Sequence, residues 1–122
     1  MRILIAEDDA ALRELLVGFV SDLGHEVKSA ENGAELVKLA LGERPDLVMT
    51  DLHMPEMAGN SMIAMLDMYP DLAGIPVIVI SGATAAELTD MGIPAEIPVL
   101  PKPFDFDRIT LELERISKKI QS

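Results

Sequence analysis

The chain has 122 residues, 49% of them hydrophobic but only 3% aromatic, so we expect one domain spanning residues 1–122 with a core of aliphatic side chains. It contains no cysteine, which excludes disulfides, thiolate catalysis and zinc sites built from cysteine. A net charge of −11 opposes direct nucleic-acid binding, and no run approaches the roughly 18 apolar residues of a membrane helix. Acidic residues from Glu7 onward exclude a secretory signal, and we expect a cytoplasmic protein.

The first half of the chain alternates apolar segments of strand length with segments of helical periodicity. Residues 3–6 predict a strand, and the hydrophobic residues at helical spacing after Asp9 predict the first helix. A short polar strand is predicted at residues 25–29. A second helix begins after a predicted cap at Asn32, and the third strand is residues 47–50.

The second half continues the same alternation. A loop over residues 51–60 leads into a third helix, and residues 76–80 predict the fourth strand. Thr84 and Glu87 have the spacing of a capping box, which predicts a fourth helix. Gly92 follows closely, so this helix is expected to be short.

The last predicted elements complete an α/β fold. Residues 97–100 predict a fifth strand interrupted by Pro98, and a final helix begins near Asp105. Five strand–helix units predict a doubly wound, five-stranded parallel sheet of the (βα)5 flavodoxin-like class. The polar second strand and the proline-containing fifth strand belong at the edges, which favours the strand order 2-1-3-4-5.

Chemically informative side chains follow the carboxyl ends of these strands. Glu7 and Asp8 follow the first strand, Asp51 the third, Ser81 the fourth and Lys102 the fifth. Two carboxylates about 4 Å apart repel by roughly 4 kcal/mol near a protein surface, so three of them require protons or positive charge. Lys102 supplies one positive charge and a divalent cation would balance the rest. Ligands that are all oxygens favour Mg²⁺.

This arrangement suits transfer of a phosphoryl group to a carboxylate. Asp51 would be the nucleophile, with Lys102 and the Ser81 hydroxyl contacting phosphoryl oxygens. His25 begins an edge strand and His53 lies in the loop after Asp51, so neither is placed as a stored donor. The phosphoryl group is therefore expected to come from another molecule.

Four segments together resemble the receiver domain of two-component response regulators, and the resemblance covers the whole chain from Arg2 to the last helix. The matching segments are residues 3–9, 45–57 with Gly59, 77–82 and 100–104. The resemblance implies that Asp51 is the phosphoacceptor, that Ser81 is the switch hydroxyl and that Lys102 contacts the phosphoryl group.

The resemblance also implies the cofactor and the partners. Glu7 and Asp8 would form the acidic pair of the metal site, and Mg²⁺ would be held by Asp8, Asp51 and the backbone carbonyl of His53. A cis peptide bond is implied before Pro103. Such domains accept the phosphoryl group from a histidine kinase or a histidine phosphotransfer protein, hydrolyse it slowly, and switch contacts with a downstream protein target. They are signalling switches rather than enzymes.

Three features depart from the family pattern. Val99 occupies the position, three residues before Lys102, where many relatives carry a switch aromatic. Ala58 replaces a usually acidic loop residue, for which we expect little catalytic loss. Residues 83–98 are rich in proline and carry a shortened fourth helix, so the usual output surface is expected to differ.

Several alternatives remain at this point. The chain could be a Mg²⁺-dependent phosphatase that forms an aspartyl-phosphate, although there is little length for a substrate cap. A flavin-binding domain of the same topology would need a Ser/Thr/Gly-rich loop where this chain has acids. A receiver-like interaction protein that never uses phosphate is disfavoured by the intact site. The absence of an effector after Gln121 favours a stand-alone regulator, monomeric or weakly dimeric, but a fragment of a hybrid histidine kinase or of a longer regulator is also open.

Overall fold

The computed structural model describes residues 1–54 and 57–121. Pro55 and Glu56, which belong to one of the matching segments, and Ser122 lie outside the described residues. The strands are β1 (Arg2–Ala6), β2 (Glu26–Ala30), β3 (Leu47–Thr50), β4 (Val77–Ser81) and β5 (Val99–Pro101). The helices are α1 (Ala10–Asp22), α2 (Gly33–Gly42), α3 (Gly59–Met68), α4 (Ala85–Asp90) and α5 (Phe106–Gln121).

All five strands pair in parallel, in the order β2-β1-β3-β4-β5. The predicted fold class and strand order are confirmed. β3 is buried along its whole length, whereas the residues of edge strand β2 alternate between exposed and more buried positions. The strand order reverses between β1 and β3, where ligands of such sheets bind at the carboxyl ends.

Hydrophobic side chains cover both faces of the sheet. On one face Leu4, Val48 and Val79 pack with buried residues of α2 and α3. On the other face Ile5 and Met49 pack with buried residues of α1 and α5. Because successive strand residues point to opposite faces, continuous apolar strands are needed to serve both layers.

Side chains cap the starts of α1, α2 and α4, and the caps predicted at Asn32 and Thr84 are confirmed. The side chain of Asp9 accepts a hydrogen bond from the Leu12 N–H at 3.1 Å, and that of Asn32 accepts one from the Glu35 N–H at 2.8 Å. Thr84 and Glu87 form the complete capping box at the start of α4. These bonds satisfy N–H groups that a helix cannot pair internally.

Several strand bounds and part of a helix prediction need correction. β4 is Val77–Ser81 rather than residues 76–80, so Ser81 is the last residue of the strand and does not follow it. Pro98 does not interrupt β5, because it precedes the strand and contributes only its carbonyl oxygen, which accepts from the Val79 N–H at 2.9 Å. β2 begins at Glu26 rather than His25, since the Glu26 N–H is the first to pair, with the carbonyl of Met1. Ile120 follows Ile109, Leu113 and Ile116 at steps of four and three residues, which predicts one apolar stripe along α5, but it is 46% exposed whereas the other three are buried.

Within the described residues, none of the helices combines the length and the apolar character needed to cross a bilayer.

Gly33, the first residue of α2, is in close contact with the loop that follows β3. Its N–H donates to the carbonyl oxygen of Met57 at 3.1 Å. A Cβ atom at this position would lie 2.7 Å from that oxygen and 3.0 Å from Cβ of Met62. The glycine therefore allows the start of α2 to approach the loop after Asp51.

Substitution of Gly33 by alanine is expected to destabilise the protein by about 1–3 kcal/mol, because the added methyl group overpacks this contact. The matched control is Gly18→Ala in the interior of α1, where nothing lies within 4 Å of an added Cβ. That change is expected to stabilise the protein by about 0.5–1 kcal/mol through improved helix propensity. Urea denaturation of both variants measures the difference, and equal stability of the two would contradict the contact.

Candidate functional site

The carboxyl ends of β1, β3, β4 and β5 bring the predicted site residues to one edge of the sheet. β1 and β3 are neighbours, with Ala6 opposite Thr50, so Glu7 and Asp51 leave adjacent strands side by side. The Asp51 N–H donates to the carbonyl of Ala6 at 3.1 Å and continues the sheet pairing into the site. Lys102 follows β5 and extends its side chain to the same place.

The carboxylate of Asp51 is buried and held in a defined orientation. Asp51 is 7% exposed. Its Oδ1 accepts hydrogen bonds from the N–H groups of Leu52 at 2.7 Å and His53 at 3.4 Å. Its Oδ2 accepts from the Lys102 ammonium at 3.1 Å. Each oxygen therefore has its own donors, which compensate for the burial of the carboxylate.

Lys102 joins two carboxylates. Its Nζ donates to Oδ2 of Asp51 at 3.1 Å and to Oε1 of Glu7 at 3.0 Å. Burial alone would lower the pKa of Lys102, but the hydrogen bonds to Glu7 and Asp51 outweigh it, so its pKa is raised above the ordinary value. The lysine stays charged, and the pairing predicted from its position after β5 is present.

Glu7 is the most perturbed acid of the site. It is 2% exposed, and burial raises its pKa from an ordinary value of 4.5 to about 7. Lys102 lowers the pKa of Glu7, whereas the charge of Asp51 and a hydrogen bond with Asp8 raise it. A single ammonium group thus does not balance the negative charge of the carboxylates around it, as the charge argument from the sequence predicts.

Glu7, Asp8 and Asp51 fit the requirements of a small cation. One carboxylate oxygen from each lies within 4.8 Å of the others. Carboxylate oxygens are ligands that Mg²⁺ prefers, so these three residues could hold such an ion together. Asp8 is exposed and keeps the site open to solvent, which suits an ion that retains several waters.

The hydroxyl predicted to be part of the site is also at this edge. Ser81 is 2% exposed, and its Oγ accepts from the Ala83 N–H at 3.0 Å. The Lys102 N–H donates to the carbonyl of Ser81 at 3.2 Å, which ties the ends of β4 and β5 together. The Lys102–Pro103 peptide bond is cis, as expected. The His53 side chain is exposed, and its backbone N–H donates to Asp51.

The structure describes the three features that depart from the family pattern, which are Val99, Ala58 and the shortened α4. Val99 is half-buried and pairs with Val79 in the sheet. α4 has six residues, and none of them is buried. Ala58 makes no side-chain cap for α3.

Two residues near the site were not identified from the sequence. Arg13 of α1 donates from Nη1 to the backbone carbonyl of Glu7 at 2.9 Å, and Gly33 supports the loop after Asp51 as described above. No local pattern marks Arg13, because an arginine in an amphipathic helix is ordinarily solvated. The glycine directly after the capping residue Asn32 is a weak signal, since glycine is unfavourable inside helices.

Comparisons with known proteins agree with this arrangement. The family model described as the response regulator receiver domain matches residues 3–114. The DNA-binding transcriptional regulator NtrC of Azospirillum brasilense is 34% identical over 118 residues, which cover 93% of this chain and 23% of that protein. The chain spans between about a quarter and about half of the length of the first curated relatives it matches.

Two further similarities cover both partners almost completely. The response regulator receiver protein CpdR of Brucella abortus is 34% identical over 117 residues, covering 94% of this chain and 95% of that protein. The crystal structure of a receiver domain from a signal transduction histidine kinase of Syntrophus aciditrophicus has a TM-score of 0.88 at 28% identity. That match covers 97% of this chain and 90% of the crystallised one.

The raised pKa of Glu7 predicts a pH-dependent stability in the absence of divalent cations. The folded protein holds the Glu7 proton more tightly than the unfolded chain, so this stabilisation is complete below about pH 4.5 and is lost as the pH rises through about 7. The full loss is on the order of 3 kcal/mol. Urea denaturation in a chelator, from about pH 4.5 to just above 7, measures it.

The control for this experiment is Glu7→Gln, which keeps the shape of the side chain but cannot titrate. The difference in unfolding free energy between wild type and this variant isolates the contribution of Glu7, because Lys102, whose pKa is raised above 10.5, titrates outside the window. If the unfolding free energies of the two proteins changed in parallel with pH, the pKa of Glu7 would not be raised in the folded protein.

Proposed function

The chain belongs to the response regulator receiver domain family, and from that premise we propose that it accepts a phosphoryl group on Asp51 and uses it to switch protein contacts. The observation that supports this assignment best is the Lys102 ammonium, which contacts Oδ2 of Asp51 and Oε1 of Glu7. Asp8 completes a group of oxygens suited to a divalent cation.

Asp51 is the proposed nucleophile because its carboxylate is already oriented. The backbone N–H groups of Leu52 and His53 hold Oδ1, which leaves Oδ2 as the attacking oxygen. An Oδ2–P bond forms while the P–N bond of a phosphohistidine donor breaks, and the imidazole departs with the electron pair. Fixing the nucleophile in advance reduces the entropic part of the barrier.

The surrounding charges favour the transferred group over the free carboxylate. Lys102 needs only a small movement to follow the negative charge from Oδ2 to a phosphoryl oxygen. The Ser81 hydroxyl is proposed to donate to another phosphoryl oxygen. Within the described part of the chain its Oγ only accepts, from the Ala83 N–H, which leaves its proton for donation.

We propose that Mg²⁺ is held by Asp8, Asp51 and the backbone carbonyl of His53, with Glu7 beside them. When bound, the ion would supply positive charge to the carboxylates and to a phosphoryl oxygen. The three oxygens within 4.8 Å and the raised pKa of Glu7 support this assignment, since both indicate a deficit of positive charge.

The proposed donor is a histidine kinase or a histidine phosphotransfer protein, and the proposed output is contact with a downstream protein. Slow self-catalysed hydrolysis of the phosphoryl group, rather than turnover of external substrates, is part of the proposal. A cytoplasmic location and the absence of direct nucleic-acid contacts are supported by the family and by the net charge of −11, respectively. A stand-alone regulator and a receiver segment of a longer regulator or hybrid kinase are both compatible with the relatives.

Incubation with Mg²⁺ and a small-molecule phosphodonor is expected to add the mass of one phosphoryl group to the wild-type protein. Asp51→Asn is expected to abolish the addition, because an amide oxygen is a poor nucleophile and carries no charge for the cation. Intact-mass spectrometry provides the measurement, with a chelator as the negative condition.

Asp67→Asn is the matched control, since Asp67 is exposed near the far end of α3 and undergoes the same chemical change. It is expected to behave as wild type. An Asp51→Asn protein that gains the phosphoryl mass as readily as Asp67→Asn would refute the assigned acceptor.

A further inference from the structure

Arg13 forms a direct contact with the backbone of the acidic pair. It lies in the first turns of α1, and its side chain turns back toward the loop that joins β1 to α1. The guanidinium Nη1 donates to the carbonyl oxygen of Glu7 at 2.9 Å. The Arg13 side chain is 17% exposed, so this bond is largely shielded from water.

The bonded carbonyl belongs to the peptide unit that joins Glu7 to Asp8. On the other side of Glu7, its N–H donates to the carbonyl of Ala30 at 3.1 Å and extends the pairing of β1 with β2. Both peptide planes flanking Glu7 are therefore fixed by hydrogen bonds. Since the two acidic side chains leave from opposite ends of the Glu7–Asp8 unit, rotation of that unit would move their carboxylates relative to each other.

The other side of the guanidinium faces the loop between β2 and α2. Arg13 Nη2 lies 3.8 Å from Oε1 of Glu31, whose side chain is 69% exposed. Such an exposed ion pair orients the arginine but contributes little by itself. The strong directional contact of Arg13 is thus its hydrogen bond to the Glu7 carbonyl. Among the described contacts, Arg13 donates no hydrogen bond to the carboxylates of the site.

We propose that Arg13 is a positioning residue, which holds the Glu7–Asp8 peptide so that both carboxylates face Asp51. This inference rests on the proposed function, because it assigns Arg13 a role in cation binding and phosphoryl transfer at that same site. Arg13 touches neither group and acts only through the peptide backbone. Outer partners of metal ligands that act in this way commonly change metal affinity about 10- to 100-fold when removed.

The test compares Mg²⁺ binding of Arg13→Met, Arg13→Lys and wild type by isothermal titration calorimetry. Arg13→Met keeps the aliphatic stem but has no donor, and is expected to raise the Mg²⁺ dissociation constant about tenfold or more. Arg13→Lys keeps the charge and one possible donor, and is expected to recover part of the affinity. Arg108→Met, an exposed arginine of α5, and Glu31→Gln, which removes only the ion pair, are expected to bind Mg²⁺ as wild type does.

Two further readouts separate positioning from general stability. Amide hydrogen exchange in a chelator is expected to be faster at residues 7–9 in Arg13→Met than in Arg108→Met, with the strands themselves unchanged. The rate of phosphoryl uptake is expected to fall at low Mg²⁺ and to return toward wild type at saturating Mg²⁺.

A folded Arg13→Met protein with a Mg²⁺ dissociation constant within about twofold of wild type would overturn the proposal. If the methionine variant does not fold, Arg13→Leu, which also lacks a donor, takes its place and the same result would overturn the proposal. Failure of the wild type to accept a phosphoryl group on Asp51 would instead overturn the proposed function. The Mg²⁺ titrations and the exchange measurement still decide the role of Arg13 in that case, because neither depends on phosphoryl transfer.

Discussion

The contact of one lysine ammonium with two buried carboxylates is the constraint on which the rest of the structure depends. Glu7 and Asp51 are 2% and 7% exposed, and Lys102 reaches them from positions 95 and 51 residues away in the chain. Buried charges of like sign are tolerated only with a partner or a proton, so the three residues must meet for the sheet edge to form. This fold satisfies the requirement by placing the carboxyl ends of β1, β3 and β5 at one edge of the sheet.

Because the acids must stay close to Lys102, the loops at this edge of the sheet are held by hydrogen bonds. The charges of the site are nevertheless incompletely balanced. Gly33 contacts the loop after β3 through Met57, and Arg13 binds the carbonyl between Glu7 and Asp8. Both contacts use neutral backbone atoms, so they hold the acids in place without neutralising them. Burial is the main cause of the raised pKa of Glu7, and strongly perturbed acids of this kind are concentrated at functional sites.

The sequence predicts the strand order and the composition of the site because both depend on the pattern of residue types along the chain. Apolar continuity marks β1, β3 and β4. Glu7, Asp51 and Lys102 stand immediately after strands, and Ser81 is the last residue of β4. The sequence does not predict the role of Arg13 or the true start of β5. Both depend on which carbonyl oxygens accept a hydrogen bond in the folded chain. The carbonyl of Pro98, for instance, joins the sheet although its residue lies outside the strand.

The described geometry also limits how a phosphoryl group on Asp51 could be communicated to a partner. A valine at position 99 offers no ring to rotate, so the movement has to pass through the backbone near Ser81. The Ser81 hydroxyl is bonded to the Ala83 N–H, one residue before the capping residue Thr84 of α4. A shift of Ser81 toward a phosphoryl oxygen would pull on that bond and hence on the start of α4. This helix has six residues, none of them buried, so displacing it disturbs little of the core. The shortened helix, which departs from the family pattern and packs on the core only through partly buried residues such as Leu88, is for this reason an element that the proposed switch could move.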